Sequence, residues 1–207
     1  MKLLVFGASG PTGAQLVSQA LEQGHEITAF VRNAGNLQAK ERVKPAVGDA
    51  QDPAAVSEAV RGQDAVLSAL GRRRTFTSAS LMVNSMRAIV PAMERHRVKR
   101  LILMSSFGVG ESARDAPLLR RLFYRTMLRG IFADKLAGEE IVRRSALEWT
   151  IVYPVLLTDG PRTGNYRVGE RLALSGFPKI SRADVAEFML KELYDAEYLK
   201  RIAVLSY

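Results

Sequence analysis

Seven residues near the N-terminus restrict the fold more than any others: Gly7-Ala8-Ser9-Gly10-Pro11-Thr12-Gly13, set between the apolar run Leu3-Leu4-Val5-Phe6 and a helix-patterned stretch. Leu3 to Phe6 reads as a buried parallel strand. Ala14 to Gln23 reads as a helix, with Leu16, Val17, Ala20 and Leu21 at helical spacing. A glycine-rich turn between a strand and a helix aims backbone N–H groups and the positive helix end at a pyrophosphate. Gly7 permits the tight turn, Gly10 lets a dinucleotide approach the backbone, and Gly13 lets the helix lie close on the sheet. The string alone is common, and the competing reading is a purely structural glycine turn. The strand before it and the helix after it give it meaning.

Strand-like and helix-like segments alternate along the rest of the chain. Further strands are expected at His25 to Val31, Val43 to Val47, Asp64 to Leu70, Arg100 to Ser105 and Trp149 to Tyr153, with Pro154 ending the last. Pro53 to Val60 reads as a short helix with Asp52 as N-cap and Pro53 at the first helical position. Ser80 to His96 reads as a long helix, and 115–144 as mostly helical with a break near Gly130. Residues 157–169 are rich in Gly, Pro, Asp and Thr and read as an irregular loop. Ser181 and Asp184 then form a capping-box pattern at the start of a last helix, and Ile202 to Leu205 reads as a terminal strand. The expectation is a single domain, 1–207, of the doubly wound α/β class: a mostly parallel Rossmann-like sheet in three layers, α/β/α. Ligands of such sheets bind beyond the carboxyl ends of the strands, where strand order reverses. The residues that matter should therefore stand at the strand exits: Gly7 to Gly13, Arg32, Gly48-Asp49, Gly71-Arg72-Arg73, Ser105-Ser106 and Pro154 onward.

At 207 residues the chain is long enough for a core without staples, and it has no cysteine, which excludes disulfides, thiolate metal sites and Cys nucleophiles. No run of about 18 apolar residues is present, so no membrane span is expected, and a cytoplasmic protein is the default. The net charge of +9 is concentrated at Arg72-Arg73-Arg74, Arg95 to Arg100, and Arg120, Arg121, Arg125 and Arg129. No nucleic-acid motif with interleaved aromatics accompanies it. Solvated surface charge is one reading, and attraction of an anionic cofactor and substrate is the other.

Arg32 stands at the exit of the second strand with no acid beside it, where an Arg favours the 2′-phosphate of NADP and an Asp or Glu the ribose of NAD. Asp49 either reaches an adenine amino group or serves as an ordinary turn residue after Gly48. Ser105 and Ser106 end the fifth strand, where a hydroxyl can bond a carboxamide, a substrate carbonyl or a relay water. Adjacent strand residues point opposite ways, so one of the two should face a ligand. Lys135 would belong to the Tyr-x-x-x-Lys dyad of alcohol/ketone chemistry if a Tyr stood four residues earlier. That position is Ile131, and neither Tyr124 nor Tyr153 has the spacing. Lys135 is left to hold a ribose hydroxyl or to pair with Asp134 or Glu139. His25 and His96 give no metal or triad pattern, and Phe123, Tyr124, Met127 and Phe132 are at a spacing that suits packing.

Gly7 to Gly13, Val31-Arg32-Asn33, Gly48-Asp49, Ser68 to Gly71, Ser105 to Gly108 and Ala146 to Pro154 together resemble the atypical short-chain dehydrogenases/reductases of the NmrA-like, NAD(P)H-binding group, and within it the biliverdin-IXβ/flavin reductases. The late pieces Thr163 to Tyr166 and Ile180-Ser181 extend the resemblance over nearly the whole chain. It implies NADP(H) as cofactor and hydride transfer to a flavin, quinone or similar flat conjugated, even anionic, substrate. By position, Gly10, Thr12 and Gly13 would meet the pyrophosphate, Arg32 the 2′-phosphate, Asp49 the adenine, and Arg73 the cofactor or an anionic substrate. Gly7, Ser9, Pro11, Ala50, Ala69, Leu70, Gly71, Ser105, Lys135, Tyr153, Pro154 and Val155 complete the implied cofactor-binding set, and Ser106 is the implied catalytic hydroxyl. The family pattern has a His two residues after the proline ending the sixth strand, where this chain has Leu156. Cofactor binding is therefore implied more strongly than biliverdin turnover. The resemblance also admits a non-catalytic, NADP(H)-sensing regulator of the NmrA type acting through protein partners. No metal partner is implied, and the expected state is a monomer or weak dimer.

Overall fold

The computed structural model describes residues 1–37, 42–71, 80–110 and 129–207. The apolar run Leu3 to Phe6 forms the buried part of strand β1 (Lys2–Phe6), which pairs in parallel with β2 (Glu26–Val31) on one side and β4 (Ala65–Ser68) on the other. Sequence order runs outward from β1 through β2 to β3 (Val43–Val47), then restarts at β4 and runs the other way through β5 (Arg100–Met104), β6 (Glu148–Pro154) and the terminal β10 (Arg201–Ser206). The order reverses between β1 and β4. That crevice is where an open α/β sheet receives a ligand. Strand β8 (Arg167–Gly169) adds an antiparallel edge to β10, completing eight strands, and β7 (Leu156–Thr158) pairs with β9 (Lys179–Ser181) as a small second sheet. The fold is thus Rossmann-like α/β, with a mostly parallel sheet flanked by helices.

Near-continuous apolar strands need cover on both faces. Helix α1 (Pro11–Glu22) buries Leu16, Val17, Ala20 and Leu21, the face read from sequence. Helix α2 (Pro53–Val60) starts at the expected cap, with Asp52 accepting from the Ala54 N–H at 2.9 Å. Helices α3 (Leu81–His96) and α4 (Arg129–Arg144) pack together, and α5 (Arg182–Lys191) covers the other side against α1. Gly138 makes the α3–α4 contact possible, since a Cβ there would stand 2.6 Å from Met82 Cγ and 3.1 Å from its carbonyl oxygen.

The break expected near Gly130 falls at the edge of the described residues, since α4 is described only from Arg129. One expectation is corrected. The stretch 157–169 is not wholly irregular, since it holds the end of β7 and all of β8. Pairing with β9 and β10 supplies order that local composition does not signal. Residues 115–128 of the expected helix, with Phe123, Tyr124 and Met127, lie outside the described residues. Among the described residues no helix is long and apolar enough to cross a membrane, and no group of three or more His, Cys, Asp or Glu is placed to hold a metal ion.

Candidate cofactor and active site

The glycine turn sits at the β1–β4 reversal. Gly7 has φ +76°, and a Cβ there would lie 2.6 Å from the Ala69 carbonyl oxygen at the end of β4. The turn closes by a Gly10 N–H bond to the Gly7 oxygen at 2.9 Å, and Ala14 N–H then starts the helix on Gly10 at 2.8 Å. A Cβ at Gly13 would lie 2.0 Å from that same Gly7 oxygen. Helix α1 has no side-chain cap and no acidic residue in its first turn. The N–H groups of Thr12 and Gly13 therefore have no intrahelical acceptor, and the positive helix end is uncompensated. That donor set suits a diphosphate. Ser9 and Pro11 are exposed on its rim, and Thr12 is buried.

Arg32 follows β2 directly, is exposed, and makes no ion pair among the described residues. Beside it, Asp49 follows β3. Its Oδ1 accepts from Gln51 N–H at 2.9 Å in an Asx turn, while Gln51 Oε1 takes Asn84 Nδ2 at 3.1 Å from α3. The turn role of Asp49 is real, and among the described residues its second oxygen takes no hydrogen bond. Ala50 is buried behind it. Past β4, Ala69 is buried and bonds Phe6 O at 3.0 Å, Leu70 is half-buried, and Gly71 is exposed with open space where a Cβ would stand. Arg73 lies outside the described residues.

At the exits of β5 and β6 both serines meet one face of α4, each with a different partner. Ser105 is buried and donates to Glu139 Oε1 on α4 at 2.5 Å. Tyr153 is also buried, and its hydroxyl donates to Glu139 Oε2. Arg143 joins them, 3.4 Å from Glu139 Oε2 and 3.3 Å from the Tyr153 oxygen, with its guanidinium 5.5 Å over the Trp149 ring. Burial pushes the Glu139 carboxyl above its ordinary range despite the bonds from Ser105, Tyr153 and Arg143 that favour its charge. Burial, then the Glu139 charge and bond, push the Tyr153 phenol well up. The side chains of Ser105 and Tyr153, expected at a cofactor, thus face α4. Burial of Glu139 under two hydroxyls is what draws them inward. Pro154 and Val155 are buried and held by backbone bonds, Phe107 N–H to Pro154 O at 3.1 Å and Val155 N–H to Leu205 O at 3.2 Å.

Ser106 is half-exposed, and its Oγ accepts from Lys135 Nζ at 2.5 Å. Burial draws the Lys135 ammonium down to about 8, with the Glu139 and Asp134 charges acting the other way. Among the described residues neither carboxylate pairs with Lys135 within ion-pair distance. Asp134 instead takes the Met82 and Val83 N–H groups at 3.0 and 3.1 Å, capping α3. Sequence reading missed both Glu139 as the common partner of Ser105 and Tyr153 and Asp134 as a cap. The available signal was the Lys135/Glu139 spacing of i,i+4, which puts two polar groups on one helix face opposite two consecutive serines. His25 lies between the N-terminal amine (3.4 Å) and Tyr194 OH (3.1 Å), and His96 meets Ser57 Oγ at 2.9 Å, both away from the strand exits that bear Ser106.

A glycine turn at the order reversal and an uncapped helix start define a nucleotide-binding protein of the Rossmann-like class. Residues 7–196 match the family described as NAD(P)H-binding, and the chain belongs to that family. The anaerobillin reductase ChuY of Escherichia coli O157:H7 is 25% identical, covering 99% of this chain and 96% of that one, with a TM-score of 0.82. A Burkholderia pseudomallei protein assigned as exported is 30% identical over 100% of both chains, with a TM-score of 0.78. A short-chain dehydrogenase/reductase of Veillonella parvula, solved in complex with NADP, shares the fold at a TM-score of 0.82 and 20% identity, over 100% and 94% of the two chains.

Proposed function

We propose that this protein is an NADPH-dependent reductase that passes hydride to a flat conjugated acceptor of the linear tetrapyrrole, flavin or quinone kind. The observation that carries the reading is the Ser106–Lys135 hydrogen bond at the β5 exit, with Ile131 where the alcohol dyad would need a tyrosine. The likeness to an anaerobillin reductase over nearly the whole chain supports the same acceptor class. Bound NAD(P)H supplies the hydride. The Thr12 and Gly13 N–H groups hold its diphosphate, Arg32 its 2′-phosphate and Asp49 its adenine. Orientation of a planar acceptor is the main catalytic contribution asked of the chain. Leu156, 65% exposed just past β6, adds apolar surface at this end. The reading treats 1–207 as one cofactor-binding domain and sets it in the cytoplasm, where reduced nicotinamide is supplied.

The test follows loss of reduced-nicotinamide absorbance with biliverdin, FMN, dichlorophenolindophenol or a quinone as acceptor. Turnover of one or more is expected. Tight NADPH binding without turnover of any would overturn the reading. Arg32→Glu replaces the 2′-phosphate partner by a repelling charge. It should weaken NADPH about tenfold or more, equivalent to about 1.4 kcal/mol, and change NADH affinity little. Fluorescence titration with both nucleotides checks it, and equal losses for the two would remove Arg32 from the site.

A further inference from the structure

Building on the reductase reading, we propose that Lys135 supplies the proton that completes acceptor reduction, with the Ser106 hydroxyl as the relay. An ammonium that donates to a hydroxyl oxygen leaves that hydroxyl's own hydrogen to point elsewhere. Ser106 is half-exposed at the β5 exit, so the hydrogen can face a ligand there. The acceptor gains a hydride at an electrophilic ring carbon or nitrogen, and the displaced electron pair moves to a conjugated nitrogen or oxygen. That atom takes the Ser106 hydrogen while Ser106 Oγ takes one from Lys135 Nζ. The neutral amine then recovers a proton from water. One hydride and one proton are delivered, the acceptor is reduced by two electrons, and the nicotinamide is oxidised by two.

Lys135 is held for this work from both sides. Asp134 ties the helix to the first turn of α3 by two N–H bonds, and Glu139, one turn on, ties it to β5 and β6 through Ser105 and Tyr153. Gly138 keeps α4 close against α3 between those ties. The other acids are committed elsewhere. Tyr153 is turned inward, Glu139 is fully buried behind Ser105, and Asp134 is a cap. The charges that act on Lys135 are Glu139 and Asp134 of its own helix, while β5 and β6 bring hydroxyls, those of Ser105, Ser106 and Tyr153. A group titrating near 8 is protonated at neutral pH and still gives its proton readily.

The experiment compares wild type with Lys135→Met, Lys135→Arg and Ser106→Ala. NADPH affinity is read by fluorescence without acceptor, single-turnover reduction by its pH profile, and Lys135 itself by NMR titration of side-chain-labelled lysine in the acceptor-free protein. Lys135 should titrate near 8, and its value should move in Ser106→Ala. Turnover in Lys135→Met should fall about 100-fold or more, with loss of the wild-type alkaline limb and NADPH affinity held within about threefold. Lys135→Arg should be nearly as slow, because a guanidinium does not give up its proton. A lysine titrating at the ordinary value of about 10.4, or an alkaline limb that survives in Lys135→Met, overturns the proposal and leaves the reductase reading intact. Equal losses in NADPH affinity and turnover would make Lys135 a cofactor-holding residue and also overturn it. A wild type that reduces no acceptor removes the reductase reading, and the proposal with it.

Discussion

Gly13→Ala is expected to lose NADPH binding and a large share of the protein's stability together. The new Cβ would lie 2.0 Å from the Gly7 oxygen, 2.7 Å from the Gly7 carbonyl carbon and 2.8 Å from Ala8 Cα. All three are backbone atoms, so no side chain can swing aside. Relief requires shifting either the Gly7 turn or the start of α1. The turn is fixed by its own approach to Ala69, and α1 is fixed by fully buried Leu16 and Ala20. Overpacking of this kind costs about 1–3 kcal/mol where side chains can adjust, and a backbone clash belongs at the upper end or beyond. Against a typical stability of about 5–15 kcal/mol, that is a large share. Gly10→Ala is the contrast, since its Cβ would meet nothing nearer than the Gly7 oxygen at 3.2 Å. It should fold nearly as well as wild type while binding NADPH weakly, because the methyl would stand where the diphosphate approaches. Urea unfolding midpoints at constant slope, with fluorescence titrations, separate the two variants. A wild-type midpoint for Gly13→Ala would show that α1 does not sit as close on the turn as described.

What the sequence made readable follows from how local each signal is. The strand exits were legible because apolar runs, Gly and Pro mark them within a few residues, as at Phe6-Gly7, Val31-Arg32 and Val47-Gly48. The Asp52 cap and the Ser181–Asp184 pair were legible for the same reason, each bond spanning two or three residues. Strand alternation predicts that Ser105 and Ser106 face apart, but β5 ends at Met104 and both hydroxyls bond one face of α4, through Glu139 and Lys135. What each meets depends on residues 34 and 29 positions away, and so on where α4 is laid against β5. Tyr153 reads as a strand-exit residue, and only the same buried carboxylate shows that its hydroxyl turns to α4. Asp134 reads as half of an ordinary surface pair with Lys135, yet it caps a helix 51–52 residues earlier. Long-range polar partners leave no periodicity, and the Ser106–Lys135 pair belongs to that class, 29 residues apart.

The second large effect is expected at Asp184, whose role as a capping residue shows only part of what it holds. The Asp184 N–H donates to Ser181 Oγ at 2.9 Å, as the pattern predicts. Its carboxylate does something further. Oδ1 accepts the Thr163 and Gly164 N–H groups at 2.7 and 2.9 Å, and Oδ2 accepts the hydroxyls of Thr163, Ser181 and Tyr207 at 2.9, 3.0 and 2.6 Å. One fully buried carboxylate thus joins the loop after β7, the start of α5 and the C-terminal residue. Asp184→Ala would strand two amides and three hydroxyls, and about 3 kcal/mol or more of stability should go with it. Burial pushes this carboxyl upward, but the bonds from Tyr207, Gly164 and Thr163 outweigh it and hold it below the ordinary range. A depressed folded value means the stabilisation is complete above the unfolded value of about 3.9 and is lost as pH falls through the folded one. Asp184→Asn keeps an acceptor for the two amides but has no charge to lose. Wild type should therefore lose stability more steeply than Asp184→Asn below about pH 4, whereas at pH 7 wild type should be the more stable. Urea unfolding at pH 7 and at pH 3 measures both, and parallel losses in the two proteins would mean that the Asp184 carboxylate is not what acid disarms.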